Sequence, residues 1–158
     1  MADMHLQLAP RTGQGDSLAD LLRRHGLKLT PQRHLICRLL ETTHGHPTVE
    51  ELYEAATEVM PSMSLKTVYT TLNELAALNA IRLVNVGAGG SRVERNLAPH
   101  GHLVCRRCGQ VFDVPVDPEA ERYLAVPPDY GFLVEQWEVT FRGLCKRCAA
   151  EPEEGVQQ

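Results

Sequence analysis

Residues 64–95, SLKTVYTTLNELAALNAIRLVNVGAGGSRVER, decide how this chain folds. Ser64 is a good helix N-cap, and Leu65, Val68, Leu72, Leu75 and Leu78 recur at the spacing of one helical face. The spacing predicts a helix over 65–79. Its opposite face carries Lys66, Tyr69, Thr70 and Asn73, which are hydroxyls, an amide and one cation. Residues 81–86 then alternate apolar and polar as a strand does. The run Gly87-Ala88-Gly89-Gly90 turns the chain, and residues 91–95 return as a second strand. A helix with a small polar face followed by a glycine-tipped hairpin is the outline of a helix-turn-helix with a β wing.

Working back from that stretch, three shorter helices precede it. One starts at Asp16 or Ser17, carries Leu18, Leu21 and Leu22 on one face, and stops at Gly26. Thr30-Pro31 is an N-cap followed by Pro at the first helical position, opening a helix over 31–43 that presents Leu35, Ile36, Leu39 and Leu40. Thr48-Val49-Glu50-Glu51 reads as a capping box for a third helix ending near Val59, with Pro61 beyond it.

After Pro99 the pattern changes to a small α+β unit. Residues 102–115 read as strand, turn and strand, 117–125 as a short helix and 132–144 as another strand. The expected organisation is a flexible leader over 1–15, a winged-helix DNA-binding domain over 16–95, a hinge and dimerisation domain over 96–150, and a disordered tail over 151–158. The fold class is α+β.

Two Cys-x-x-Cys pairs, Cys105/Cys108 and Cys145/Cys148, hold four of the five cysteines. Two pairs in one small chain point to a structural zinc site, since two intervening residues let both thiolates of a pair reach one ion at about 2.3 Å. The 36 residues between the pairs make the ion a clamp across a whole unit, not a compact ribbon. Cys37 lies among leucines and reads as a buried structural cysteine.

A second group combines imidazoles and carboxylates. His100 and His102 point to one side of a strand. Glu94 ends the wing, Asp113 follows the first cysteine pair, and His46 opens the third helix. Such donors suit iron, manganese or zinc. Read singly, His46 before Pro47 is more often a turn or cap residue and Asp113 in a strand is usually solvated. If all five share one ion, it ties the reading head to the cysteine-bearing half. His5 and His44 read as surface residues.

The net charge of -4 argues against a general nucleic-acid binder, but the charge is uneven. Residues 1–96 hold ten basic and ten acidic side chains, whereas 97–158 hold six and ten. The segment 60–96 is locally positive, with four against two. There Tyr69, Thr70 and Asn73 can reach base edges and Lys66 a phosphate, while Arg82, Arg92 and Arg95 suit backbone or minor-groove contacts. One weakly basic reader makes few phosphate contacts, which predicts a dimer on a two-fold palindromic operator in double-stranded DNA. No apolar run is long enough to span a bilayer, and the N-terminus lacks a signal-peptide core, so a cytoplasmic location with reduced thiols is expected.

Leu29-Thr30-Pro31-Gln32-Arg33, His46-Pro47-Thr48, the run from Ser64 to Leu72, His100-Gly101-His102 and both cysteine pairs together resemble the ferric uptake regulator (Fur) family over about residues 16–150. The resemblance implies a cytoplasmic homodimer that represses genes when loaded with metal. It implies Cys105, Cys108, Cys145 and Cys148 as structural zinc ligands, and His46, Glu94, His100, His102 and Asp113 as a regulatory site for iron(II) or manganese(II). Tyr69 matches the recognition-helix tyrosine. Gly101, Trp137 and Leu144 fall where many ferric regulators have a further metal site, and none can ligate. Asp113 resembles peroxide-sensing members, in which iron-bound peroxide would oxidise His46 or His100. Glu94 resembles the ferric type, and Thr70 matches neither. With no cysteine between Cys37 and Cys105, the chain departs from zinc-sensing members.

The function expected is a metal-dependent repressor of metal-homeostasis or peroxide-stress genes. The competing readings are a zinc-responsive regulator of the same family, a thiol oxidoreductase working through Cys-x-x-Cys, a metallohydrolase working through the His/carboxylate group, and a zinc-stapled protein-interaction module. No general base or substrate pocket stands out for the enzymes, so a non-enzyme is expected.

Overall fold

The computed structural model describes residues 17–87, 90–117, 119, 130–133 and 137–150. The leader, the tail, most of the 117–125 helix and part of the 132–144 strand predicted from sequence lie outside these residues. The chain is mixed α+β, in the order α1 (Leu18–Arg24), α2 (Pro31–Thr42), α3 (Val49–Val59), α4 (Leu65–Ala77), β1 (Arg82–Val84), β2 (Arg92–Glu94), β3 (Gly101–Cys105), β4 (Val111–Val114), β5 (Thr140–Gly143) and α5 (Lys146–Ala150).

Local chemistry sets each long helix start. Ser17, Thr30 and Ser64 each accept a backbone N–H three residues on, satisfying a donor that the first turn leaves without a partner. Thr48 and Glu51 form both bonds of the capping box, at 3.0 and 2.7 Å. Leu22, Ile36, Leu40, Val49, Val68, Leu72 and Leu75 are sealed in one core between α1–α4 and the wing. Burying each such side chain contributes about 1.5–3 kcal/mol. Leu65 departs from the expected stripe. It is exposed, because it occupies the first turn of α4, beyond the edge of that core.

The wing is an antiparallel β1–β2 pair with Leu83 opposite Val93. It is shorter than the sequence pattern suggests. From its end, Val84 and Val86 leave the main core and pack on Val104 and Val111, joining the wing to the second sheet. That sheet has the order β4-β3-β5. β3 runs antiparallel to β4, with His102 opposite Asp113 and Leu103 opposite Phe112. It runs parallel to β5, with Leu103 opposite Phe141.

Cross-strand partners share a face, so the sheet has two distinct sides. His102 and Val104 are buried on one side. Phe112, Leu103 and Phe141 form an apolar row on the other, 43%, 41% and 53% exposed. Gly101 fits closely between the two histidines. A Cβ there would meet Val116, the Val139 carbonyl and Val114 at 3.0–3.2 Å, so any side chain would force these neighbours to shift. Among the described residues, no helix is long and apolar enough to cross a membrane.

Candidate metal centres

The four cysteines of the two pairs come together. Their sulfurs lie within 4.8 Å of one another, and none is in a disulfide. Cys108 Sγ and Cys145 Sγ are 3.8 Å apart. Four sulfurs at about 2.3 Å from a tetrahedral zinc have edges of about 3.8 Å, so the spacing fits that ion. The first pair sits on the turn after β3, closed by Gly109 N–H to Cys105 O at 2.9 Å and Cys105 N–H to Gln110 O at 2.9 Å. The second pair flanks the start of α5, a helix that the sequence reading missed. The Cys145 N–H points at Cys105 Sγ at 3.4 Å. Backbone N–H groups of this kind favour the thiolate and hold the Cys105 pKa down at about 5. Burial pushes Cys148 up to about 12. A zinc ion would relieve that burden on Cys148, since it binds the thiolate and supplies the missing charge.

The five-residue His/carboxylate group converges as well. His46, Glu94, His100, His102 and Asp113 each offer a donor atom within 4.8 Å of the others. Glu94 Oε2 lies 2.6, 3.0 and 3.2 Å from the Nε2 atoms of His46, His100 and His102. Asp113 Oδ1 is 2.9 Å from His46 Nε2. Each donor has its own origin. His46 comes from the turn before α3, Glu94 from the end of β2, His100 from the linker, His102 from β3 and Asp113 from β4.

The linker is pinned into the same place. The Asn96 N–H bonds Glu94 Oε1, Asn96 Nδ2 bonds Asp113 Oδ2 at 3.3 Å, and His100 Nδ1 lies 2.7 Å from the Ala98 carbonyl. Since a carbonyl can only accept, that last contact places an N–H of His100 on Nδ1 and turns Nε2 inward, toward Glu94 Oε2.

Electrostatics favours a cation at this point. Burial opposes protonation of His46, but hydrogen bonds to Asp113 and Glu94 outweigh it and raise its pKa to about 9. Burial likewise opposes ionisation of Glu94, yet bonds from His46 and His102 pull it down to about 2. Both shifts record one attraction between buried imidazole and carboxylate. Three imidazole nitrogens around one carboxylate oxygen, with a second carboxylate beside it, is a donor set complementary to a divalent ion such as iron or manganese.

The residues expected from sequence to face DNA divide. Lys66, Thr70 and Asn73 are exposed on α4, and the Thr70 hydroxyl is turned back to the Lys66 carbonyl at 2.8 Å. Tyr69 is half-buried and its hydroxyl donates to Glu50 Oε1 at 3.2 Å, a contact the sequence reading missed. Arg82 is exposed and bonds the Leu97 carbonyl at 2.8 Å. Arg95 bonds the Leu40 carbonyl at 2.7 Å. Arg92 differs most from the sequence expectation. It is half-buried and bonds inward to the His46 and Gly109 carbonyls, so its guanidinium is not displayed for DNA. Cys37 is fully buried, and burial pushes its thiol up to about 11. His44 is exposed, as expected, and His5 lies outside the described residues.

A sequence model of the Ferric uptake regulator family matches residues 24–142. The peroxide-responsive repressor PerR of Staphylococcus epidermidis (strain ATCC 12228 / FDA PCI 1200) is 32% identical over 138 residues, 86% of this chain and 90% of that protein. Among solved structures, a zinc-bound manganese uptake regulator is 30% identical with a TM-score of 0.63, covering 82% of this chain and 99% of its own. The Helicobacter pylori ferric uptake regulator Fur, described as having three functional metal-binding sites, is 28% identical with a TM-score of 0.66, covering 86% of this chain and 91% of its own.

Proposed function

The chain belongs to the Ferric uptake regulator family, and from that premise we propose that it is a metal-dependent transcriptional repressor, not an enzyme, acting in the cytoplasm as a homodimer on palindromic double-stranded DNA. The observation that carries this reading is the convergence of five donors from both halves of the chain on one point. Residues 16–95 form the reading head and 96–150 the hinge and dimerisation unit. Cys105, Cys108, Cys145 and Cys148 hold a structural zinc. His46, Glu94, His100, His102 and Asp113 hold the regulatory iron(II) or manganese(II).

A bound divalent cation supplies the positive charge that balances two carboxylates among three neutral imidazoles. His46 and Glu94 then fix the reading head through the α3 turn and the wing, while His102 and Asp113 fix the sheet. His100 clasps the linker between them. With all five engaged, the linker loses its freedom, and two reading heads in a dimer hold one separation, as successive half-sites one helical turn apart require. The apolar row Phe112, Leu103 and Phe141 supplies a face for the second copy. On the reading head, Lys66, Thr70 and Asn73 on α4 present to DNA, joined by Arg82 of the wing and by Tyr69 once it leaves Glu50.

The test is footprinting on the protein's own promoter region with iron, manganese, zinc or chelator. Protection of a palindrome with iron or manganese and its loss with chelator is the expected result. Equal failure on promoter and random DNA with every metal present would favour the protein-interaction module. Protection with zinc alone would favour the zinc-responsive regulator.

A second reading, peroxide responsiveness, is favoured by Asp113 and by the relatives named as peroxide-responsive repressors. His46 and His100 both place Nε2 within 3.0 Å of the shared Glu94 oxygen. Mass spectrometry of the iron-loaded protein after dilute peroxide should find one added oxygen on His46 or His100. An unmodified pair would exclude it.

A further inference from the structure

Arg92 opens β2, two residues before Glu94, and its side chain turns inward. Nη1 donates to the His46 carbonyl at 2.8 Å and Nη2 to the Gly109 carbonyl at 3.3 Å. These acceptors belong to different parts of the molecule. His46 is in the turn between α2 and α3. Gly109 closes the cysteine knuckle at a φ of +72°, and its N–H is already committed to Cys105 O. The direction of the Gly109 carbonyl is therefore set by the turn that carries Cys105 and Cys108.

We propose that Arg92 is a positioning residue that ties the five-donor site to the four-cysteine knuckle, so that the zinc-bearing turn helps to hold His46 in ligating position. This rests on reading the five-donor group as a metal site. The His46 turn is otherwise anchored to the same strand: Val93 N–H bonds Pro47 O at 2.8 Å, Val49 N–H bonds Ser91 O at 3.1 Å, and Thr48 bridges Arg92. Those bonds fasten the turn to the wing. The guanidinium extends the connection to the second unit. Its planar fork suits the task, because two donors diverge from one rigid group and bond two carbonyls at once. Charge assistance makes each bond stronger than a neutral one. Lysine offers a point charge on a flexible stem and cannot span both carbonyls in a fixed geometry.

The experiment compares the wild-type protein, Arg92→Met, Arg92→Lys and His46→Ala, each full-length and zinc-loaded. Zinc content and thiol protection are checked first, then manganese affinity by competition with a fluorescent chelator and amide hydrogen exchange of the manganese-free proteins. Arg92→Met keeps the aliphatic stem. It is expected to retain zinc and to weaken manganese by about tenfold, the usual loss when a residue that orients a ligand is removed. Exchange should rise in segments 43–49 and 105–110 together. Arg92→Lys should fall between Met and wild type.

Manganese affinity of zinc-loaded Arg92→Met within twofold of wild type would overturn the proposal. So would Arg92→Lys matching wild type, since charge alone would then suffice. If His46→Ala also binds manganese normally, the metal reading fails and the strut with it. If His46→Ala loses binding while Arg92→Met keeps it, the strut alone fails.

Discussion

In the proposed homodimer, truncating Phe141 to Ala should separate the two copies without unfolding the protomer. The ring lies on the apolar row beside Leu103 and is 53% exposed in the single chain. A fully exposed Phe offers about 200 Å², so roughly 100 Å² is open to a partner, of which alanine would retain about 20 Å². In a two-fold interface each residue counts twice, which makes the loss about 160 Å² per dimer. At about 25 cal/mol per Å² this is about 4 kcal/mol, or nearly a thousandfold in the dimer dissociation constant. It is an upper value, because association does not convert the whole area into affinity.

Sedimentation equilibrium over a dilution series measures the constant, and thermal unfolding monitors the protomer. Phe112→Ala, on the same row at 43% exposure, should act in the same direction. A dissociation constant within threefold of wild type for both variants would refute the placement of the dimer face on this side of the sheet.

Other expectations follow from the two clusters and the helix caps. Glu94→Gln keeps the shape but removes a buried carboxylate that lies within 3.2 Å of three imidazoles. Calorimetric titration should show manganese affinity down by more than about a hundredfold with zinc content unchanged, exceeding the 10–100-fold typical of an outer residue. Cys37, fully buried and pushed up to about 11, should resist iodoacetamide at pH 8 in the native protein, and zinc chelation should expose the other four thiols first; mass mapping distinguishes them. Thr48→Ala removes the cap at the start of α3 next to His46. It should lower stability by about 1 kcal/mol in urea denaturation, whereas no loss would show the capping box to be dispensable.

The parts of the fold written in adjacent residues were legible in the sequence. Thr30, Thr48 and Ser64 cap the helices they were expected to cap, and Ser17, one of two expected start points, caps the first, since a cap needs only a side chain three residues from its target. The cysteine pairs and the His100/His102 pair stood out from residue type and spacing, whereas the convergence of His46, Glu94 and Asp113 on them was implied only by the family resemblance and is set by the tertiary fold. Pairing between distant segments was not legible. The parallel β3–β5 register joins residues 38 positions apart, and no local signal announces it. Leu65 satisfies helical periodicity but lies past the edge of the core. Arg92 was the larger misreading. Position on the wing suggested DNA, whereas a long side chain can fold under its own strand and bond whatever carbonyls the tertiary structure brings there.

Once footprinting has supplied an operator, the decisive measurement is the pair of affinities around one thermodynamic cycle. Operator affinity is measured with and without manganese, and manganese affinity with and without operator, for wild type and Glu94→Gln. Linkage requires that the factor by which metal tightens DNA equal the factor by which DNA tightens metal, and allosteric couplings are typically about 5–150-fold. Equal factors in that range for wild type, collapsing to one in Glu94→Gln, are expected if the five-donor site locks the reading heads. Operator binding that is tight and indifferent to manganese in the wild-type protein would contradict it.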